Sequence, residues 1–392
     1  MPHELNILVE STRKEILSQA SEVLSALPKL AFSLTYGPQL QQKAYPGEKS
    51  PDIILLDEGT DGGDIVARLH QLKEEFAKAS IFVISPDISP KNIVRLMKAG
   101  ASEFISNPIK ADNLIDAIEE FRIRRVNAGK VAEGKICTFI SSKGGLGSSV
   151  VAVNSAAAVA RQQNQSVALC DMCLETGDLS VMLDTMPELT IVDLCRNFHR
   201  LDVSLFRGAI TRHKSALDFL AAPHNPSDIR DIKVEHVQQI LVLARKLYDY
   251  TFLDCPAMHL NDTTLASLNL SNHIFVITDL SVPAIRNASR LCTHLEKLGI
   301  ANSRIEVVIN RYIKRSTLSI EEVEKSLKRT IYWAFPNDFA EIISSINCGL
   351  PLVQKNSSAM FSRNISDFVK KMQKPDVYRD YRGIKGVFGK AI

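Results

Sequence analysis

Short β-branched apolar runs alternate with helical patterns along most of the chain. Runs at Asn6–Val9, Asp52–Leu56, Ile81–Ile84 and Glu103–Ile105 predict strands, and Asn92–Ala99 and Ala111–Arg124 predict helices between or after them. A polar, basic, glycine-containing stretch, Arg122–Gly134, then breaks the pattern. After it the alternation starts again with strand Ile136–Ile140, a glycine-rich loop, a small-residue helix Ser149–Gln162 and strand Ser166–Cys170. Further strands are predicted at Tyr250–Leu253, His273–Thr278 and Arg304–Ile309. Strands alternating with helices specify an α/β protein of two doubly wound parallel-sheet domains. The boundaries expected are 1–128 for the first domain, 129–134 for a linker, 135–372 for the second domain and 373–392 for a tail.

The length of 392 residues exceeds what one core usually organises, which agrees with two domains. With 45% apolar and 23% charged residues, both domains have the means to bury substantial cores. A net charge of +3 is too diffuse to mark a nucleic-acid surface, and Lys325, Lys328 and Arg329 form only a small basic cluster. The seven cysteines are scattered except for Cys170 and Cys173, which predicts free thiols in a reducing, cytoplasmic compartment. No second Cys/His pair follows Cys170 and Cys173 at zinc spacing, so core thiols are the expectation there. The first ten residues lack the charge and apolar pattern of an export signal.

The candidate chemistry lies between the first strand and helix of the second domain, in Ser141-Ser142-Lys143-Gly144-Gly145-Leu146-Gly147-Ser148-Ser149. Glycines there allow consecutive N–H groups to face phosphate oxygens, and the following helix adds the positive end of its dipole. A tight glycine turn with no ligand is the alternative. Lys143, Gly144, Gly145, Leu146, Gly147, Ser148, Ser149 and Val150 are the candidate nucleotide-binding residues, with the Ser149 hydroxyl offered to Mg²⁺.

This segment resembles the deviant P-loop of MinD/ParA ATPases, which reads KGGxGK[ST]. Lys143 matches the early signature lysine, which in that family reaches the nucleotide of a partner subunit, so the resemblance implies ATP, Mg²⁺ and an ATP-sandwich homodimer. Ser148 stands where the usual phosphate-binding lysine belongs. The family's D-x-D element is matched by Asp171, with Cys173 in place of the second acid, the one credited with positioning the attacking water. Asp254 closes an apolar strand as the Walker B acid does and is the second candidate metal-side residue beside Ser149. Similarity continues through Asn310 and Arg311, like the family's element beside adenine, and through Pro336 and Asn337, which also join the candidate nucleotide contacts. A strand-terminal turn is the alternative reading for Asn310 and Arg311.

Residues 5–125 resemble a response-regulator receiver, a flavodoxin-like fold, with Asp57 at the phospho-acceptor position. The helpers of phosphorylation are damaged: Val9-Glu10-Ser11 retains one acid of the expected pair, and Asn107 replaces the lysine before Pro108. Ser85 keeps the hydroxyl position. A pseudo-receiver used for docking is the expectation, with a phosphorylation-controlled response regulator as its rival.

A receiver-like domain ahead of a MinD/ParA-type unit lacking the second loop lysine resembles the TadZ/CpaE family. That resemblance implies a factor that places Tad/Flp pilus assembly and secretion machinery at a cell pole, with weak or absent hydrolysis. Its expected partners are a second copy of itself and a pilus component or polar landmark protein. The basic and apolar tail, Tyr381–Ile392, offers a contact with the inner membrane or is simply solvated. The rival within the same superfamily is a ParA-type DNA partition ATPase that cycles on hydrolysis.

Overall fold

The computed structural model describes residues 5–27, 29–36, 50–59, 64–128, 132–162, 165–257 and 260–374. The tail expected at 373–392 therefore lies almost wholly outside the described residues, as do 129–131 of the linker. The chain forms two compact units, Met1–Ala132 and Glu133–Ile392.

The smaller unit runs β1 (Leu5–Ser11), α1 (Lys14–Ser25), β2 (Leu30–Tyr36), β3 (Ile53–Asp57), α2 (Ile65–Glu75), β4 (Ser80–Ser85), α3 (Pro90–Ala99), β5 (Glu103–Ser106) and α4 (Ala111–Asn127). Its sheet is parallel in the order β2-β1-β3-β4-β5, the flavodoxin-like arrangement. Alternate residues of a strand face opposite layers. Ile7 and Val9 accordingly join Ile16, Leu24 and Ile118 from α1 and α4, whereas Leu8 and Leu56 pack with Leu69 and Leu96 from α2 and α3. Helix α3 shows how sequence sets an element's ends: the Ser89 side chain caps its first turn, Pro90 suits that turn, and Gly100 stops it at φ +109°.

In the larger unit the strands are β6 (Lys135–Ser141), β7 (Val167–Asp171), β8 (Thr211–Arg212), β9 (Asp218–Leu220), β10 (Tyr250–Cys255), β11 (His273–Thr278), β12 (Ile305–Tyr312) and β13 (Ile331–Pro336). Their order is β13-β12-β11-β6-β10-β7-β9-β8, parallel except for the short antiparallel β8–β9 edge. That edge is the one departure from the all-parallel expectation. Helix α5 (Ser148–Ala160) is so rich in Ala and Val that most of its surface is buried, and it approaches the sheet closely.

Four strands, β2, β8, β9 and β13, escaped the sequence pattern, β8 and β9 because they are only two and three residues long. β2 is an edge strand with half-exposed residues, so it carries no continuous apolar run. β13 ends in Pro336, which sequence reasoning counts against a strand, but at the last position of an edge strand the missing N–H breaks no ladder bond.

One face of the larger sheet is held by an aromatic cluster centred on Phe368 of the helix Met360–Met372. Its ring lies 5.1 Å from both Phe275 and Phe335, and the side chain is fully buried. Phe368→Ala is expected to cost about 3–5 kcal/mol of stability, read as a lower urea midpoint at unchanged slope.

Candidate functional site

The site grows from the carboxyl end of the central strand. β6 lies between β11 and β10 and hands the chain to α5 through the glycine loop, the position where ligands sit in open α/β sheets. Gly145 and Gly147 hold φ of +77° and +86°, values that side chains resist. A Cβ on Gly144 or Gly145 would meet nothing within 4 Å, so this stretch of backbone faces open space. A Cβ on Gly147 would stand 2.7 Å from Asn310 Nδ2, so that glycine is needed for room as well as for conformation. Lys143 is half-buried beside the open glycines, and Ser148, Ser149 and Val150 form the first turn of α5, whose N–H groups lack intrahelical partners.

Asn310 braces this loop. Its Nδ2 donates to the Leu146 carbonyl at 2.8 Å while its Oδ1 accepts from Arg311 N at 2.9 Å. Asn310, matched in sequence to the element beside adenine with a strand-terminal turn as the alternative, uses its amide here to hold the loop backbone. Arg311 is exposed at φ +55°, an unfavourable conformation that coincides with the register shift between Ile309 and Tyr312 of β12. Pro336 is buried at the end of β13, and exposed Asn337 follows it with its N–H on the Tyr312 carbonyl.

Beneath the loop two acids come together from adjacent strands, since Asp254 of β10 is in register with Asp171 of β7. Both are buried, at 1% and 2% exposure. Asp171 Oδ1 accepts from Cys173 N at 3.0 Å and its Oδ2 from Leu179 N at 3.2 Å. Asp254 Oδ1 has no hydrogen-bond partner among the described residues. Burial pushes the Asp254 carboxyl up to about 8, with the Asp171 charge adding to the effect and the Ser149 hydroxyl opposing it. Burial likewise raises Asp171 to about 7, against the pull of the two backbone N–H groups. The half-buried Cys173 points its Sγ at Asp254, 4.0 Å from Oδ2, and burial raises its thiol far above the usual range. Cys170 is fully buried in the core, as expected; Cys173 departs from the core-thiol expectation and faces the acids. That departure could be suspected from sequence only because Cys173 occupies the second acid's position.

An orphaned oxygen on buried Asp254, with the Ser149 hydroxyl close by, is the donor set a hard divalent cation uses, so the residues fit Mg²⁺. A shallow groove lined by Leu260, Ser289, His294 and Lys297 shares none of these residues.

The smaller unit treats its acids differently. Asp57 ends β3 with its carboxylate clamped by both Arg13 and Ser11: Arg13 Nε donates to Oδ2 at 2.9 Å, Arg13 Nη2 to Oδ1, and Ser11 Oγ to Oδ2 at 2.5 Å. Glu10, the retained acid, is bound by Arg68 at 2.7 and 2.6 Å. Glu58 is held by Arg95 at 2.7 Å and by the hydroxyl of Ser85. Three arginines thus neutralise the three acids at this strand edge. Acetyl phosphate is expected to leave Asp57 unlabelled in the full chain, checked by mass mapping of the peptide that contains it; a robust phosphoryl adduct there would sink the pseudo-receiver reading.

The buried pair fixes a pH dependence. Asp254 and Asp171 have folded-state values above their unfolded value of 3.8, so between about 4 and 8 the folded chain holds more protons than the unfolded one. Their contribution is complete below the unfolded value and is lost as pH rises through about 7 to 8. Asp254→Asn should therefore stabilise the metal-free protein at pH 9 by at least about 1.4 kcal/mol relative to wild type, with little gain at pH 4, as measured by urea unfolding.

No family model matches the chain. A MinD-type septum site-determining protein of Tupiella akineta is 27% identical over 299 residues, which cover 74% of this chain and 95% of that one. The septum site-determining protein MinD of Thermotoga maritima is 24% identical over 255 residues, 61% of this chain and 88% of that protein. Among solved structures, a ParA family ATPase from Chlorobium tepidum matches with a TM-score of 0.58 at 26% identity, covering 60% of this chain and 98% of its own. The MinD of Pyrococcus horikoshii, solved in complex with Mg-ADP, shares the fold at a TM-score of 0.54 and 19% identity, over 62% of this chain and 96% of that one. In sequence and in fold, the larger part of the chain is similar to MinD/ParA-type P-loop ATPases.

Proposed function

We propose that this protein binds ATP with Mg²⁺, dimerises through the bound nucleotide and acts as a positional platform for Tad/Flp pilus assembly and secretion machinery at a cell pole, with hydrolysis slow or absent. The observation that carries the ATP-binding part is the open glycine backbone of Gly144 and Gly145 above a buried acid with an unpaired oxygen. Ser149 and Asp254 would hold Mg²⁺, which when bound neutralises the charge of the β- and γ-phosphates. Backbone N–H groups from Lys143 to Val150 would bind the phosphates, and Arg311, Pro336 and Asn337 lie at the strand ends that would flank the base.

Turnover needs more than binding. Ser148 supplies a hydroxyl where a cation would follow charge as it develops on the γ-phosphate, so ground-state binding suffers less than the transition state. Cys173 offers a neutral thiol instead of a carboxylate to orient water. Lys143 remains as the cation able to reach a partner subunit's nucleotide, and dimerisation therefore outlives hydrolysis. Arginine-clamped Asp57 supports a docking role for the smaller unit. The pilus assignment rests on the resemblance to the TadZ/CpaE family and on the order of the two units.

Purified protein with Mg²⁺ and ATP is expected to bind nucleotide by calorimetry, to double its mass by light scattering and to release negligible phosphate. Lys143→Ala should abolish the mass change while retaining a folded protein, and Ser148→Lys should raise phosphate release by at least about tenfold. Brisk turnover by the wild type would sink the static-platform mechanism in favour of a cycling partition-type ATPase.

A further inference from the structure

We infer that Asp171, Cys173 and Asp254 form a binding site for a thiophilic divalent cation of the Zn²⁺ class, filled in the absence of nucleotide. The three residues present one ligand atom each, all within 4.8 Å of one another. For tetrahedral Zn²⁺, with bonds of about 2.3 Å to sulfur and about 2.0 Å to oxygen, the sulfur–oxygen edge is roughly 3.5 Å. Cys173 Sγ and Asp254 Oδ2 stand 4.0 Å apart, so a shift of about half an ångström at the ligand atoms, on this tetrahedral geometry, closes that edge.

A second observation points to a ligand independently of the cluster. Asp254 is 99% buried by its 1% exposure, and its Oδ1 has no hydrogen-bond partner, a costly state for a polar atom. No lysine or arginine pairs with either acid among the described residues. The backbone N–H groups of Cys173 and Leu179 fix the Asp171 carboxylate in place, as supporting hydrogen bonds do around metal ligands. Cys173 is half-buried, which leaves the cluster reachable from outside.

Ligand type sets the preference. Mg²⁺ takes oxygen donors, whereas a thiolate gains most from Zn²⁺ or Co²⁺. Binding is an exchange in which the Cys173 thiol gives its proton to solvent as the metal–sulfur bond forms, and any proton on the two carboxyls leaves likewise. Three protein ligands leave a fourth position for water or a phosphate oxygen. The inference does not depend on ATP binding, because the cation is added alone.

The test uses the full chain carrying Cys348→Ser, which removes the exposed thiol, titrated with Co²⁺ without nucleotide. One equivalent of Co²⁺ should produce a thiolate-to-metal charge-transfer band in the near ultraviolet that Zn²⁺ displaces. Adding Cys173→Ser should abolish the band and weaken Zn²⁺ binding roughly a hundredfold by calorimetry. Cys173→Asp should also abolish the band while retaining Mn²⁺ binding through three carboxylates. Absence of the band in the parent protein, or its persistence in either Cys173 variant, overturns the assignment. A band that behaves as expected in a protein that fails to bind ATP would uphold this site and remove the nucleotide reading alone.

Discussion

The site depends on one electrostatic constraint: a carboxylate buried at the end of β10 with an oxygen that nothing among the described residues satisfies. Desolvating a charged group costs several kcal/mol, and Asp254 meets that cost by holding its proton near neutral pH. The strand order makes the arrangement unavoidable. β10 is inserted between β6 and β7, so Asp254 sits beside the phosphate-loop strand on one side and Asp171 on the other. A cation that replaces the proton restores what folding removed, and folding stability and ligand binding are thereby linked through one side chain.

The two units solve the same topological problem in opposite ways. Each collects acids at the carboxyl ends of parallel strands, where loops diverge and a ligand has room. In the smaller unit Arg13, Arg68 and Arg95 supply the countercharge from within the chain. The Arg13 and Arg68 pairs are bidentate and satisfy geometry as well as charge, which removes the demand for a metal. In the larger unit no arginine or lysine pairs with the acids among the described residues: backbone N–H groups hold Asp171, and Asp254 has the Ser149 hydroxyl and the Cys173 thiol beside it. The same fold type therefore yields one edge that is closed electrostatically and one that invites a cation.

Much of this was legible in the sequence because strand, loop and helix signals coincide. Glycines before Ser148 need φ values that only they adopt readily, and the apolar run ending in Asp254 is a buried parallel strand by its composition. What could not be read was the identity of the countercharges. Arg13 lies 44 residues from Asp57 and Arg68 lies 58 from Glu10, so no local pattern joins them. The brace from Asn310 to Leu146 spans 164 residues and is invisible for the same reason. Cys173 and Cys170 look alike in a C-x-x-C spacing, yet two residues past the strand end Cys173 turns toward Asp254 while Cys170 stays in the core.

Set against the family pattern that the loop resembles, Ser148 and Cys173 form a compensating pair. Ser148 removes one positive charge and Cys173 removes one negative charge, the latter because its thiol is held neutral by burial. On the proposed nucleotide reading, the net charge around the phosphates would then be unchanged and long-range attraction for a magnesium nucleotide would survive. Catalysis does not follow net charge, since it needs a cation that tracks the developing transition state and an acceptor that orients water. On that proposal, removing both groups together would take away turnover with little penalty in ground-state binding, whereas removing either alone would leave the site one charge out of balance. The pairing therefore favours a protein whose output is the nucleotide-bound state itself.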